Sequence, residues 1–151
     1  MLFRSRLSFA TWLPHARVLR GWARSASGSI AEGLLSIEDG IAEYRAAGAI
    51  IALPFFQTLK AEALHLAGRT SDALAALEEG ATVVERSEAR IWCAELYRFR
   101  GVFLAAICAG EAQIEASFRE AISTANGQKS ISLAKRAEAS YLEYRCQKGK
   151  S

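Results

Sequence analysis

Apolar side chains recur at steps of four and three residues in three stretches of the chain, and each stretch lies forty residues after the one before. The three sets are Trp12, Ala16, Leu19, Ala23 and Ala26, then Ala52, Phe56, Leu59, Ala63 and Leu66, then Trp92, Leu96, Phe99, Phe103 and Ala106. This spacing places each set along one face of an α-helix. The pattern predicts three amphipathic helices, each with a buried stripe.

A second helical stripe follows each of these helices. Its members are Leu34, Ile37, Ile41 and Tyr44, then Leu74, Leu77, Ala81 and Val84, then Glu115, Phe118, Ile122 and Ala125, where Glu115 is the one polar exception. Gly28 and Gly68 lie between the paired stripes and suit the left-handed end of a helix. The predicted unit is therefore a helix, a short turn and a second helix.

The same signals indicate where the helices begin. Ser29 and Glu32 have the spacing of a capping box, and Thr70 or Ser71 is expected to cap the equivalent second helix. Pro54 fits the first turn of the second repeat's leading helix, where its missing N–H costs little. These residues predict capped helices of ordinary length.

Three hairpins and one closing helix account for the rest of the chain. We expect a short N-terminal extension at 1–11, repeats at about 12–51, 52–91 and 92–131, and a closing helix at 132–148. Stacked helical hairpins bury their apolar faces on one another. The predicted fold is all-α, a right-handed helical solenoid that forms a single repeat domain over residues 12–150.

Small residues indicate which kind of helical repeat this is. A forty-residue period also suits HEAT or armadillo repeats, since tetratricopeptide units are nearer 34 residues. However, small residues recur at the points where paired helices would cross, namely Gly21, Ala61 and Gly101 on the leading helices and Gly33, Ala73, Gly40, Gly80 and Ala121 on the second helices. Ile114 departs from this rule. The close crossings favour a tetratricopeptide-like hairpin.

Four sequence segments resemble a known family: "ARVLRGWA", "AEALHLAG", "AELYRFRGVFLA" and "EASFREAISTA". They resemble the tetratricopeptide region that closes large bacterial proteins with an ATPase module, often behind a class III adenylate/guanylate cyclase domain. The resemblance covers roughly residues 12–150. It implies a detached or truncated regulatory segment that senses or binds partners. It implies no cyclase or ATPase activity for this chain, because catalysis in such proteins lies in upstream domains.

Charge and composition exclude several classes of function. The net charge of the 151 residues is +3, and five arginines precede the first acidic residue, Glu32. They are spread around a helix without stacking aromatic residues between basic clusters, so a solvated face is favoured over nucleic-acid binding. An organelle transit segment is disfavoured because residues 12–31 already belong to the repeat. No apolar run approaches the roughly 20 residues of a membrane helix. We expect a cytoplasmic protein with no membrane partner.

Residues that could support chemistry do not form a complete motif. Gly149, Lys150 and Ser151 match the end of a phosphate-binding loop. The motif also requires a glycine at position 144, where this chain has Tyr144. Glu62 and His65 form half of a di-iron motif that lacks its second half. The cysteines at 93, 108 and 146 are widely spaced and are expected to be reduced and mostly buried. We expect no enzyme activity, no cofactor and no metal site.

The leading helices also present positions that point away from the packing stripes. If these helices line a concave face, the face holds a partner-binding groove of His15, Val18, Trp22, Phe55, Thr58, Glu62, His65, Glu95, Arg98, Val102, Arg136 and Glu143. We expect Arg98 to be its main contact, since a guanidinium can fork to a carboxylate. The predicted function is a protein–protein interaction module. The alternative is a structural solenoid segment that self-associates through its N-terminal end, with no separate ligand.

Overall fold

The described residues form seven α-helices. The computed structural model describes the backbone of residues 2–87 and 89–149, and the side chains of these ranges from residue 10 onward. The helices are α1 (Leu2–Ala26), α2 (Ile30–Ala46), α3 (Leu53–Leu66), α4 (Thr70–Glu85), α5 (Cys93–Ala106), α6 (Glu111–Gly127) and α7 (Ile131–Lys148), and a 3₁₀ turn (Arg90–Trp92) precedes α5. No strand occurs in these ranges, so the all-α prediction is confirmed.

Consecutive helices pair as hairpins inside two compact units. In the first unit, Met1–Ala89, α1 pairs with α2 and α3 with α4, and α3 also packs against both α1 and α2. In the second unit, Arg90–Ser151, α5 pairs with α6, and α7 packs against both of them. Each unit therefore contains a leading helix that covers the hairpin before it.

The predicted stripes are buried or half-buried on α3 and α5, apart from the exposed Leu66 and Ala106 at their ends, whereas the stripe of α1 is exposed. Phe56 on α3 and Phe103 on α5 are almost completely buried, whereas Trp12 and Leu19 on α1 are 68% and 44% exposed. The sequence prediction for α1 was therefore wrong. The reason is that α1 contacts α2 and α3 with its other faces, which bury Pro14, Val18, Gly21 and Ser25 instead.

The second stripe agrees better with the prediction. All four predicted residues of α2 are buried: Leu34, Ile37, Ile41 and Tyr44. On α4 and α6 the predicted residues are buried or half-buried except Ala81, which is exposed. The second helices thus turn the predicted faces inward.

Glycines bring the paired helices close together. A Cβ atom on Gly21 would lie 2.6 Å from the carbonyl oxygen of Gly33, and a Cβ on Gly33 would lie 2.5 Å from the carbonyl oxygen of Gly21. In the third hairpin, a Cβ on Gly101 would lie 2.8 Å from the ring of Phe118. Such distances are too short for any side chain, so the crossing point predicted at Gly21 and Gly33 is confirmed. Gly101 instead makes room for the ring of Phe118.

The turns repeat as regularly as the helices. Gly28 and Gly68 have φ values of 106° and 74°, and Cys108, at the equivalent position of the third repeat, has a φ of 53°. In each case the next residue donates its N–H to the carbonyl five positions earlier, for example Ser29 to Arg24 at 3.0 Å. This is the Schellman arrangement, and it confirms the left-handed ends predicted at the two glycines.

The helix starts differ from the predicted caps. Ser29 is the N-cap of α2, but its side chain makes no capping hydrogen bond, so the capping box does not form. Helix α4 begins at Thr70 with Arg69 as its N-cap, so neither predicted cap residue occupies the cap position. Pro54 lies in the first turn of α3 as predicted. Helix α1 extends back to Leu2, so most of the predicted extension is helical.

Candidate functional site

The predicted groove residues fall on α1 and α3 in the first unit and on α5 and α7 in the second. The first group comprises His15, Val18, Trp22, Phe55, Thr58, Glu62 and His65, and the second comprises Glu95, Arg98, Val102, Arg136 and Glu143. Each group thus lies within one compact unit.

Two residues of the first group cannot contact a partner. Val18 is fully buried, with its side chain next to Gly40 of α2, and Thr58 is 3% exposed and donates its hydroxyl to the carbonyl of Phe55 at 2.7 Å. Their assignment to an exposed groove was therefore wrong. Val18 lies on the face of α1 that α2 occupies. The prediction failed because each leading helix packs on more than one side.

Three other members of the first group are engaged between or within helices. The ring of His15 meets the ring of Phe56 edge-on, with 4.6 Å between their centroids. Trp22 Nε1 donates to a carboxylate oxygen of Glu62 at 2.8 Å, which joins α1 to α3. These contacts stabilise the packing of α3 on α1.

The possible metal motif is also engaged in local contacts. His65 Nδ1 lies 3.0 Å from the hydroxyl of Thr70, and Glu62 accepts the hydrogen bond of Trp22. Within residues 2–87 and 89–149, no three His, Cys, Asp or Glu side chains form a metal-binding cluster. Lys150 and Ser151, which would end the phosphate-loop motif, lie outside the described residues.

In the second unit the predicted residues do come together, around a half-buried carboxylate. Arg98 donates from Nε and Nη2 to the two carboxylate oxygens of Glu95, both at 2.9 Å, and both side chains are only 12% exposed. Arg136 of α7 adds a third contact to Glu95 at 3.2 Å. Because two guanidinium nitrogens of Arg98 already donate to Glu95, they are not available to bind a ligand carboxylate as the sequence suggested.

Arg98 also connects this ion pair to α7. Its Nη1 donates to the hydroxyl of Ser140 at 3.3 Å, and its guanidinium lies 4.0 Å from the ring centroid of Phe99. A cation over an aromatic ring is stabilised by the ring's negative face. The Arg98 side chain therefore holds α5 and α7 in register.

Beside Ser140 an open groove separates α5 from α7, and we call it the α5–α7 groove. Its volume is about 570 Å³, and its lining consists of Val102, Ala105, Ala106, Cys108, Ala109, Ile114, Phe118, Ser140, Glu143, Tyr144, Gln147 and Lys148. Small and aromatic apolar side chains form its floor, while Glu143 and Lys148 place both charge signs among its lining residues. Lys148 also pairs with Glu111 at the start of α6.

Sequence reasoning found part of this groove. Val102 and Glu143 were predicted, but Ser140, Tyr144 and Phe118 were not assigned to a binding surface. Ser140 and Gln147 occupy positions where the apolar stripe of the closing helix should continue, and these two polar residues, which both line the groove, are the signal that could have identified it. Phe118 gave no such signal, because it looks like any other core residue in the sequence.

A second polar contact was missed in the first unit. Gln57 of α3 is 1% exposed, and its amide donates to the carboxylate of Glu79 on α4 at 2.8 Å. Arg45 of α2 approaches the same carboxylate oxygen at 3.4 Å. Glu79 therefore holds a buried amide in place, although its sequence position resembles an ordinary solvated acid.

The thiols are less buried than the sequence suggested. Cys108 and Cys146 are exposed, and only Cys93 is half-buried. Burial raises the pKa of the Cys93 thiol, and the nearby charge of Arg90 only partly opposes this effect. A raised pKa disfavours the thiolate, which is the nucleophilic form of cysteine.

Comparisons with known proteins reveal one long relative and no named family. No family model and no solved structure matches the chain. Over 123 residues, 82% of this chain, it is 29% identical to an uncharacterized protein of Rhizobium meliloti (strain 1021). The matched segment makes up 12% of that protein, so the chain spans only a small part of its relative's length. No helix among the described residues is long and apolar enough to cross a membrane.

Proposed function

We propose that this chain is a tetratricopeptide-like interaction module that binds a segment of a partner protein in the α5–α7 groove. One observation carries the proposal: two leading helices of one unit enclose an open, mostly apolar groove with charged residues of both signs in its lining. Such a surface suits an amphipathic peptide or helix, whose apolar side chains fill the floor while its polar groups meet the charged residues.

The helix arrangement supports a repeat architecture of this class. Helix α3 packs on both helices of the first hairpin, and α7 packs on both helices of the α5–α6 hairpin. The same relation thus occurs once in each compact unit. Stacking of each leading helix on the hairpin before it is how a helical solenoid buries its apolar faces.

The proposal extends to the setting in which the module acts. A related segment occupies a small part of a far longer protein in Rhizobium meliloti. The length of that relative supports a role as one segment of a larger protein. The sequence resemblance alone supports a signalling protein of the ATPase or cyclase type, in which this segment senses a partner.

Selection of peptides from a displayed library tests the groove directly. Enriched peptides should bind the parent chain and lose at least tenfold in affinity when Ala106→Arg introduces a long cationic side chain into the groove. Ala116→Arg is the matched control, because Ala116 is an exposed alanine on α6 outside the groove. It should change the affinity less than twofold.

Two results would contradict groove binding. If no peptide is enriched against the parent chain, the groove has no recognisable preference for a protein segment. If both arginine variants weaken the selected peptides equally, the peptides bind elsewhere or respond only to net charge.

The second candidate function is a structural segment that self-associates through its N-terminal helix. The exposure of Trp12, Leu13 and Leu19 on α1 favours it, since these large apolar side chains are 68%, 60% and 44% exposed. Sedimentation equilibrium distinguishes the candidates. A monomer over a wide concentration range supports the module, whereas an oligomer that Leu19→Glu dissociates supports self-association.

A further inference from the structure

The exposed face of α1 corresponds to a face that is covered elsewhere in the same unit. We call it the α1 face and define it by Trp12, Ala16, Leu19, Ala23 and Ala26. The residues forty positions later on α3 are Ala52, Phe56, Leu59, Ala63 and Leu66, and the first four of these are buried. Their burial comes from α1 and α2, on which α3 packs.

The second unit contains a corresponding example. Helix α7 carries Leu133, Ala137 and Tyr144 at three of the five equivalent positions and the polar residues Ser140 and Gln147 at the other two, and it packs on α5 and α6. Ala137 is 1% exposed, and the ring of Tyr144 lies 6.0 Å from that of Phe118. In both units, therefore, the face of a leading helix is covered by a helical hairpin.

We propose that the α1 face is the docking surface for one further helical hairpin of the same repeat pattern, with a carboxylate opposite Arg20. This inference rests on the repeat architecture proposed above, but not on ligand binding in the α5–α7 groove. The covering interface would continue the one that α3 already makes with α1 and α2.

An ion pair in the existing interface specifies the charge of that hairpin. Lys60 on α3 lies 3.2 Å from the carboxylate of Glu38 on α2, at the edge of the α2–α3 contact. Arg20 stands forty residues before Lys60 and is exposed on α1. A covering hairpin with an acidic residue at the register of Glu38 would place it opposite Arg20.

Side-chain size specifies the hairpin further. Phe56 fills the space between the rings of His15 and Tyr44, with centroid distances of 4.6 and 5.0 Å. Its counterpart on the α1 face is Ala16, which is far smaller. The covering hairpin must therefore supply larger apolar side chains opposite Ala16 than α1 and α2 supply opposite Phe56.

The charge pattern argues against a second copy of this chain as the symmetric occupant. A symmetric dimer through α1 would place the same surface on both sides of the interface. Arg17 and Arg24 already pair with Glu43 and Glu32 of α2, and α1 itself has no acidic residue that could meet Arg20 across such an interface. A surface that carries carboxylates is the better complement.

A register-preserving duplication tests the inference. The duplicated protein contains residues 1–51 followed by residues 12–151, so that the second copy of α1 follows a complete hairpin at the spacing that Ala52 has in the parent. Because the inserted hairpin is α1 and α2 again, Ala16→Phe in the second copy supplies the ring that these two helices accommodate at Phe56. Leu19→Ala is then introduced separately in the first and in the second copy. The first copy remains uncovered and is the matched control.

We expect Leu19→Ala to lower the urea midpoint of unfolding only when it lies in the second copy. Arg20→Gln in the second copy should also reduce the dependence of this midpoint on salt, since it removes the expected pair with Glu38 of the inserted hairpin. The same Leu19→Ala change in the first copy should leave the midpoint unchanged.

Other outcomes overturn the inference. An equal effect of Leu19→Ala in both copies would mean that the inserted hairpin does not cover the face. A parent chain that forms a dimer in sedimentation equilibrium, and dissociates with Leu19→Glu, would assign the face to a second copy. Either result leaves the peptide test of the α5–α7 groove intact, because that groove lies on other helices.

Discussion

Replacement of Gly33 by alanine tests the closest helix crossing in the protein. A Cβ atom at this position would lie 2.1 Å from the hydroxyl oxygen of Ser25 and 2.5 Å from the carbonyl oxygen of Gly21. Ordinary contacts of a Cβ begin at 3.4 Å. The second neighbour is backbone, so α1 and α2 must separate by about 1 Å to accept a single methyl group.

Three effects determine the expected change in the free energy of unfolding: two lower it and one raises it. Overpacking of this kind typically costs about 1–3 kcal/mol. Loss of the hydrogen bond from Ser25 to the carbonyl of Gly21, now 3.1 Å long, adds about 1 kcal/mol. The higher helix propensity of alanine returns about 1 kcal/mol. We therefore expect Gly33→Ala to lower the free energy of unfolding by about 1–3 kcal/mol.

Urea titration followed by far-UV circular dichroism measures the effect, with Gly127→Ala as the matched control. Gly127 is the last residue of α6, and nothing lies within 4 Å of a Cβ built there. The control substitution should therefore raise stability by up to about 1 kcal/mol. If the two variants shift the midpoint in the same direction, the glycines do not set the distance between the paired helices.

Two further predictions concern the second unit. Arg98→Glu should lower the free energy of unfolding by about 2–3 kcal/mol in a urea titration, because Glu95 would keep only its contact with Arg136 and would face a second carboxylate. The control is Arg119→Glu, on the exposed side of α6, which should change the free energy of unfolding by no more than about 0.5 kcal/mol. Equal midpoints for these two variants would mean that the Glu95 ion pair contributes no stability. Cys108→Gly should raise stability by up to about 1 kcal/mol, because glycine adopts a positive φ without strain, and a lower melting temperature in calorimetry would contradict this reason.

The periodic sequence determined the helices and most of their inward faces. Apolar steps of four and three residues located the helices of all three hairpins, and Gly28 and Gly68 located the turns between them. Small residues such as Gly21 and Gly33 also revealed where paired helices approach closely. These features are local: each depends on the geometry of one helix or turn, which the sequence of that segment specifies by itself.

The tertiary structure decided which faces are covered and which charges are paired. Identical patterns are buried on α3 and exposed on α1, because burial depends on the neighbouring helix and not on the helix itself. Likewise, Arg98 looked like a free contact residue until Glu95 and Ser140 were found around its guanidinium. Long charged side chains pair with residues on other helices, and the distances between these helices are determined only when the structure is packed.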